Sequence, residues 1–363
     1  MRVTSPSQFV FFRILTSVWM MVVFVSMALA EELRVPYGSF AVFDAFPGMF
    51  HFTKWIQTDV LMRVFLGFFG SLGCLVALGW ARRPVSFLLW YAWIGTLLVS
   101  ESTRDVSAYF GEWLLLVCVV TPSGEPAMFG GNRQHRFWRP MALICHASWY
   151  LCVITVVLTA IHRVSQTGMD VVFVVLFGLS SLGLLTTLPR YRHVGWWILV
   201  MGICVMDWTV GTPVPVVPYL LCAVLAFDRR WYRGKQGVLY FDGVCGLCNG
   251  FVDYLMSEDD AANLRFAAIQ SESAREHLES SLIDNLDTVI FQQQGQTYLR
   301  SDAALRATAS LGGPFVFLYG LLLVPRTIRD MAYDALARSR YRFFGKRETC
   351  RLPSADERDR FLD

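Results

Sequence analysis

The stretch Val238-Leu-Tyr-Phe-Asp-Gly-Val-Cys-Gly-Leu-Cys-Asn249 carries the sharpest signal in this chain of 363 residues. It opens as a short apolar strand over 238–242, and Gly243 punctuates the strand's end. Two cysteines then stand three apart where a helix begins, running to about Met256. A thiol at a helix N-terminus faces the positive end of the helix dipole and unpaired backbone N–H groups, both of which favour thiolate. The spacing therefore predicts Cys245 as an exposed attacking thiolate. Cys248, one turn along, is the thiol that resolves a mixed disulfide. Gly246 and Leu247 between them permit a tight turn without adding charge. Asp242, at the strand end, is read either as a proton acceptor or as a structural cap.

Beyond this stretch the pattern reads β-α-β-α-β-β-α. Leu264–Ile269 is a second strand, followed by a charged helix around Ser271–Ser281. Residues 288–291 and 297–299 form a hairpin about Gly295. Ser301 and Asp302 are expected to cap a helix over Ala303–Ser310. This order is that of a thioredoxin-like fold with the Cys pair at its first strand-to-helix junction, a placement far more specific than a lone CxxC. A structural zinc site would want four ligands, and this part of the chain adds only Cys350 and His277 in unfavourable spacing, so no metal is expected. A non-catalytic module with an inert pair remains the plain alternative. Phosphatase chemistry is disfavoured, because no second Asp follows Asp242 by two residues.

The rest of the chain has another character. Hydrophobic residues make up 55% against 17% charged, and the mean hydropathy is +0.43, too apolar for an ordinary soluble protein. A net charge of +3 is too small to suggest a nucleic-acid partner. Residues 1–228 hold 14 Lys+Arg and 11 Asp+Glu, whereas the remaining 135 residues hold 18 of each. The expected architecture is thus a multi-pass α-helical membrane bundle over 1–228, a basic juxtamembrane link over 229–236, and an α/β thioredoxin-like domain over 237–363.

About eight segments approach bilayer-spanning length, near 9–30, 59–80, 86–100, 108–122, 141–161, 171–188, 196–209 and 214–227. The fourth, seventh and eighth are short, and Pro213, Pro215 and Pro218 crowd the last. Ala28-Leu-Ala30 resembles a signal cleavage site, but Arg13 inside a stretch of about 22 apolar residues favours a retained helix. With both termini inside, twelve Lys and Arg in loops fall on the inner side and four on the outer. That bias places the second domain at the cytoplasmic face.

Arg13, Arg63, His146 and Asp207 fall within or near these segments, where ionisable groups are costly and default to a functional reading. They are the candidates for a polar cavity holding a quinone or lipid; snorkelling for the arginines, an interhelical hydrogen bond for His146 and a boundary position for Asp207 are the structural readings. Single cysteines at 74, 118, 145, 152, 204 and 222 read as packing residues. The apolar run Phe315–Val324 and the basic aromatic run Arg338–Arg347 are expected to pack on the domain or lie against the bilayer.

Tyr240–Asn249 resembles the opening motif of the DCC family of thiol-disulfide oxidoreductases, named for Asp-x-x-Cys-x-x-Cys. The likeness continues in Arg265-Phe-Ala-Ala-Ile-Gln-Ser271, Leu299-Arg-Ser-Asp-Ala303 and the Tyr341-Arg-Phe-Phe-Gly345 stretch ending at Cys350, over about 120 residues. The resemblance implies a disulfide oxidoreductase on a thioredoxin-like fold, with Asp242, Cys245 and Cys248 in its motif positions and no stated substrate. The wider thioredoxin group carries a cis-proline before its third strand; here no proline occurs between Cys248 and Gly313, which leaves the mode of substrate binding open.

Phe11-Phe-Arg13, the Trp90–Glu101 helix and Gly111–Leu116 more loosely resemble the HTTM domain, related to vitamin K-dependent gamma-carboxylase. That chemistry needs an intramembrane base, commonly lysine. The comparable region 150–164 has His162 and Arg163, and the only lysine before residue 229 is Lys54, so carboxylase activity is not expected.

The expected function is therefore a membrane-anchored thiol-disulfide oxidoreductase acting on a protein or small-molecule thiol, with the Cys pair itself as redox group and no resident cofactor. A quinone- or lipid-linked relay and a non-enzymatic membrane assembly module are the alternatives.

Overall fold

The computed structural model describes residues 5–29, 59–99, 106–122, 143–154, 191–210, 216–228, 231–259, 261–283, 288–345 and 355–362. These are mostly helical, with one small mixed sheet late in the chain. The chain divides into two compact units, Met1–Phe227 and Asp228–Asp363.

The first unit contains helices α1 (Pro6–Leu29), α2 (Asp59–Leu78), α3 (Arg82–Val99), α4 (Val106–Val120), α5 (Leu143–Ile154), α6 (Arg192–Val210) and α7 (Val216–Ala226). Helices α1 and α2 run antiparallel in close contact: Arg13 meets Ala77 at one end, and Arg63 meets Ala28 at the other. Glycine permits the approach, because a Cβ on Gly73 would lie 3.1 Å from the Ser17 carbonyl oxygen. Around this pair Met20, Phe24, Leu66, Leu89 and Trp93 form a core. Trp93 of α3 meets Phe24 edge-on, with centroids 5.7 Å apart.

The outward faces are apolar too, with Phe11, Val22, Val60, Val64 and Phe68 exposed. Helices apolar all round belong in a core or in lipid. The number of spans nevertheless needs correcting. Among the described residues two helices, Pro6–Leu29 and Val60–Leu78, are long and apolar enough to cross a bilayer, not about eight. Charge and length are the reasons. α3 opens on Arg82 and Arg83; α4 has 15 residues and α7 has 11, short of the roughly 20 a span requires. The segment expected near 171–188 lies outside the described residues.

In the second unit, β1 (Gly237–Phe241) leads through the Cys turn into α8 (Gly246–Glu258) and then β2 (Leu264–Ala268). After α9 (Glu272–His277) and α10 (Ser280–Ile283) come β3 (Ile290–Gln293) and β4 (Gln296–Leu299). Then follow α11 (Arg300–Ala309), a 3-10 segment (Gly313–Leu323), α12 (Arg326–Phe344) and a second 3-10 turn (Ala355–Arg360). The sheet order is β2-β1-β3-β4, with β1 parallel to β2 and antiparallel to β3, and β3 antiparallel to β4.

The period-2 alternation of β1 divides the core. Leu239 and Phe241 face α8 and α11 with Phe266, Phe291, Val252, Leu255, Ala303 and Ala307. Tyr240 faces the other side with Ala267, Ile269, Ala274 and Leu278. Residues 231–236 are pinned to the end of α11, since Gly313 N–H donates to Tyr232 C=O and Lys235 N–H to Ser310 C=O. Gly312 (φ 75°) makes this possible: a Cβ there would lie 2.5 Å from the Tyr232 carbonyl oxygen.

Two local expectations are corrected. The helix expected over 271–281 breaks at Leu278, whose backbone is extended because its side chain enters the core. Ser301 and Asp302 do not cap the helix after β4; Leu299 is its N-cap, without a side-chain cap bond. Ser301 instead donates to Asp330, and Asp302 pairs with Arg329 at 2.8 Å, so both side chains dock α12.

Candidate functional site

The turn between β1 and α8 is held from inside. Cys245 N–H donates to Asp242 C=O. Val244 N–H donates to Asp242 Oδ1 at 3.2 Å, a local turn typical of Asp. Gln270, just after β2, donates through Nε2 to Asp242 Oδ1 at 3.0 Å and accepts from Gly243 N–H. Asn249, fully buried, donates to Gly243 C=O at 2.8 Å and Cys245 C=O at 2.7 Å. Three stretches of sequence thus fix one turn.

Cys245 is the N-cap of α8. Its Sγ accepts from Cys248 N–H at 3.4 Å, taking one of the donors that a helix leaves unpaired. Both cysteines are free thiols. Contrary to expectation, Cys245 is not exposed: it is 0% accessible, against 7% for Cys248. Its side chain belongs to the apolar core with Phe241, Val252 and Phe291. The end of α12 reaches the same turn, where Gly345 C=O accepts from Gly246 N–H at 3.2 Å.

α12 also brings polar groups. Asp242 is 2% exposed and the Arg340 side chain 4%. Arg340 Nη2 lies 3.6 Å from Asp242 Oδ2 and donates to Tyr341 OH at 2.8 Å; Tyr341 OH in turn donates to Asp242 Oδ2 at 2.7 Å. Burial, and the Cys245 thiol beside it, push the Cys248 thiol well above the ordinary thiol range, with Arg340 opposing them. Burial and the bond to Asp242 raise the Tyr341 phenol, which keeps its proton and goes on donating. Chemically, this is a dithiol with a carboxylate and a guanidinium within one enclosed turn.

Immediately before β3, Val289 N–H donates to Tyr333 OH of α12 at 3.0 Å. The backbone donor at the start of this strand is therefore engaged within the chain. His277, weighed with Cys350 as a further ligand type, is bonded through Nδ1 to Ser273 C=O within α9; Cys350 lies outside the described residues.

The candidates in the first unit are placed apart. Arg13 is fully buried and donates to Ala77 C=O at 3.2 Å. Arg63 donates to Ala28 C=O at 2.7 Å. Arg13 and Ala28 stand fifteen residues apart on α1, about 22 Å at the helical rise, so the two arginines serve opposite ends of the pair. His146 Nδ1 lies 3.3 Å from Arg192 Nη2, an interhelical hydrogen bond in which the guanidinium donates. Asp207 falls on α6, and its side chain lies outside what is described. Arg82, unremarked as a site residue in the sequence, donates to the carbonyls of Cys118, Thr121 and Pro122.

Four site residues carry no assigned role in the sequence: Asn249, Gln270, Arg340 and Tyr341. Three of them, Asn249, Gln270 and Tyr341, stand inside the stretches that resemble the DCC family. That was the available signal, and it marks positions without saying what they touch.

Comparison with known proteins bears on the second unit. Residues 239–346 match the family model described as DCC1-like thiol-disulfide oxidoreductase. The uncharacterized protein YuxK of Bacillus subtilis is 39% identical over 127 residues, 34% of this chain and 93% of the relative. A chloroplastic DCC family protein of Arabidopsis thaliana is 34% identical over 121 residues, 32% of this chain and 70% of the relative. No solved structure matches.

Proposed function

Since this chain belongs to the DCC1-like thiol-disulfide oxidoreductase family, we propose that it is a membrane-anchored dithiol–disulfide exchange enzyme with Cys245 as nucleophile and Cys248 as resolving thiol. The observation that carries the reading is the placement of Cys245 at the N-cap of α8, with its backbone N–H bonded to Asp242 C=O. The strand order β2-β1-β3-β4, with α8 and α11 on one face, supports a thioredoxin-like domain.

In the reducing direction, Cys245 thiolate attacks one sulfur of a substrate disulfide and releases the other as thiolate. Cys248 then gives up its proton to solvent and attacks Cys245 Sγ. The Cys245–Cys248 disulfide forms, the second substrate thiol leaves, and a cellular dithiol must restore the pair. Because Cys245 has no exposed surface, the end of α12 moves aside for the first step.

Membrane anchoring is supported by the apolar outer faces of α1 and α2. The multi-pass arrangement, a relation of the first unit to HTTM domains and a cytoplasmic second unit rest on the apolar segments and the Lys/Arg bias of the loops. On the cytoplasmic side the pair would rest as dithiol and act as a reductant toward a protein or small-molecule disulfide. The quinone relay draws no support from Arg13 and Arg63, whose guanidinium groups serve helix-end carbonyls.

The test is a redox titration of the full chain in detergent, followed by peptide-resolved alkylation. A two-electron transition confined to the 245–248 peptide is expected. Exchange activity should vanish in Cys245→Ser with folding retained, and activity surviving that change would refute the reading.

A further inference from the structure

The geometry points to Arg340 as a positioning residue: the enclosed cation shared by the Asp242 carboxylate and the Cys245–Cys248 thiolate, through which the docking of α12 sets the charge state and redox poise of the pair. This rests on the exchange function proposed above. The donors around Asp242 leave it a single role. Oδ1 accepts from Val244 N–H and Gln270 Nε2, and Oδ2 accepts from Tyr341 OH, so the group is held as an acceptor on both oxygens. When Cys245 ionises, the turn therefore holds two anions, and Arg340 is the cation beside them.

Among the described residues, the groups facing the guanidinium include Asp242 at the end of β1, Cys245 and Cys248 at the start of α8, and Tyr333 and Tyr341 on its own helix. Arg340 favours the charged form of Cys248, and both cysteines act on Arg340 in return. Tyr341 fixes the guanidinium twice, by its hydroxyl at 2.8 Å and by its ring, with Cζ 4.6 Å from the centroid.

The balance of charge gives the direction. Among the described groups, the disulfide state pairs the Asp242 anion with the Arg340 cation; the reduced, ionised state adds a thiolate to them. Arg340 therefore stabilises the reduced state more than the oxidised one. Removing it should withdraw thiolate and make the pair a stronger reductant.

The experiment uses the full chain in detergent with wild type, Arg340→Gln, Arg340→Lys and Tyr341→Phe. Two equilibrium readouts are taken: the pH midpoint of peptide-resolved iodoacetamide alkylation at Cys245, and the redox midpoint in defined dithiol buffers. In R340Q the alkylation midpoint is expected to rise by about one pH unit, a tenfold loss of thiolate, and the redox midpoint to fall by about 30 mV per tenfold. R340K should stay near wild type, because it keeps the charge; a residue that merely packs would make Lys and Gln alike. Y341F should show a smaller shift, about threefold, and carries the test should R340Q not fold.

Unchanged midpoints in R340Q, or equal shifts in R340Q and R340K, overturn the role of Arg340. A wild-type pair with no two-electron transition overturns the exchange function instead, while the alkylation midpoints still decide the charge role.

Discussion

Both units bury arginine, and the two uses differ. In the first unit Arg82 reaches Cys118 in the last turn of α4, Arg13 reaches Ala77 near the end of α2, and Arg63 reaches Ala28 at the end of α1. These are the C=O groups a helix leaves without partners, at the negative end of its dipole. In the second unit Arg340 faces a carboxylate and two thiols. A guanidinium whose hydrogen bonds go to backbone carbonyls ties one helix to the end of another, and a carbonyl does not titrate. One paired to groups that gain and lose protons takes part in chemistry. The partner, not the burial, separates the two.

The comparison can be broken most sharply at Arg82. Arg82→Leu leaves three carbonyl oxygens of Cys118, Thr121 and Pro122 without their donor. At about 1 kcal/mol or more for each buried group, a loss of roughly 3 kcal/mol is expected in chemical unfolding, with the Cys245–Cys248 redox midpoint unmoved. A shifted midpoint would end the division of roles.

Asn249→Leu should lose about 2 kcal/mol, since two carbonyls that it pairs, at Gly243 and Cys245, lie in the turn itself. Unlike Arg82→Leu, it should also move the redox midpoint, which titration in the same buffers would show.

The pH dependence of stability sharpens the contrast further. Folding raises the Cys248 thiol, so its contribution is fully present below the ordinary thiol value and is lost as pH rises through the folded one. The urea midpoint of the second unit should fall above about pH 8.5, and Cys248→Ala should flatten that slope in part. Tyr240, Tyr333 and Tyr341, raised in the same sense, contribute to what is left.

The smallest effect concerns the docking of α12. Burial opposes it, but hydrogen bonds from Ser301 and attraction to Arg326 hold Asp330 below the usual carboxylate range. Its contribution is present above the ordinary Asp value and lost as pH falls through the folded one. Asp330→Asn should cost under about 1 kcal/mol at neutral pH and speed alkylation of Cys245 slightly; an unchanged rate would separate docking from access.

What could be read from the sequence follows from distance along the chain. The strand at 238–242, the helix after Cys245, the strand at 264–269 and the hairpin about Gly295 rest on local periodicity and turn chemistry, and the elements fall within two residues of expectation. Ser301 and Asp302 misled because a cap signal is also a good docking signal, and only tertiary structure distinguishes them. The lid over Cys245 was illegible: Asp242 and Tyr341 are 99 residues apart, and no local pattern says that α12 folds back over the turn. Arg13 and Arg63 read as possible ligands because sequence shows a charge in an apolar run but not the helix end it reaches.

The bond from Gly246 N–H to Gly345 C=O has a consequence for timing. A sulfur with no accessible surface reacts only during the fraction of time that the end of α12 is lifted. Each 1.4 kcal/mol holding it down divides the observed rate by ten, whatever the intrinsic reactivity of the thiolate. In the proposed enzyme Cys245 would thereby be shielded from peroxide and stray disulfides, while a partner that binds the lifted form would lengthen its own opportunity. Alkylation of Cys245 should accordingly accelerate in urea well below the unfolding midpoint. Selectivity in such a site is kept by a clock as much as by a pocket.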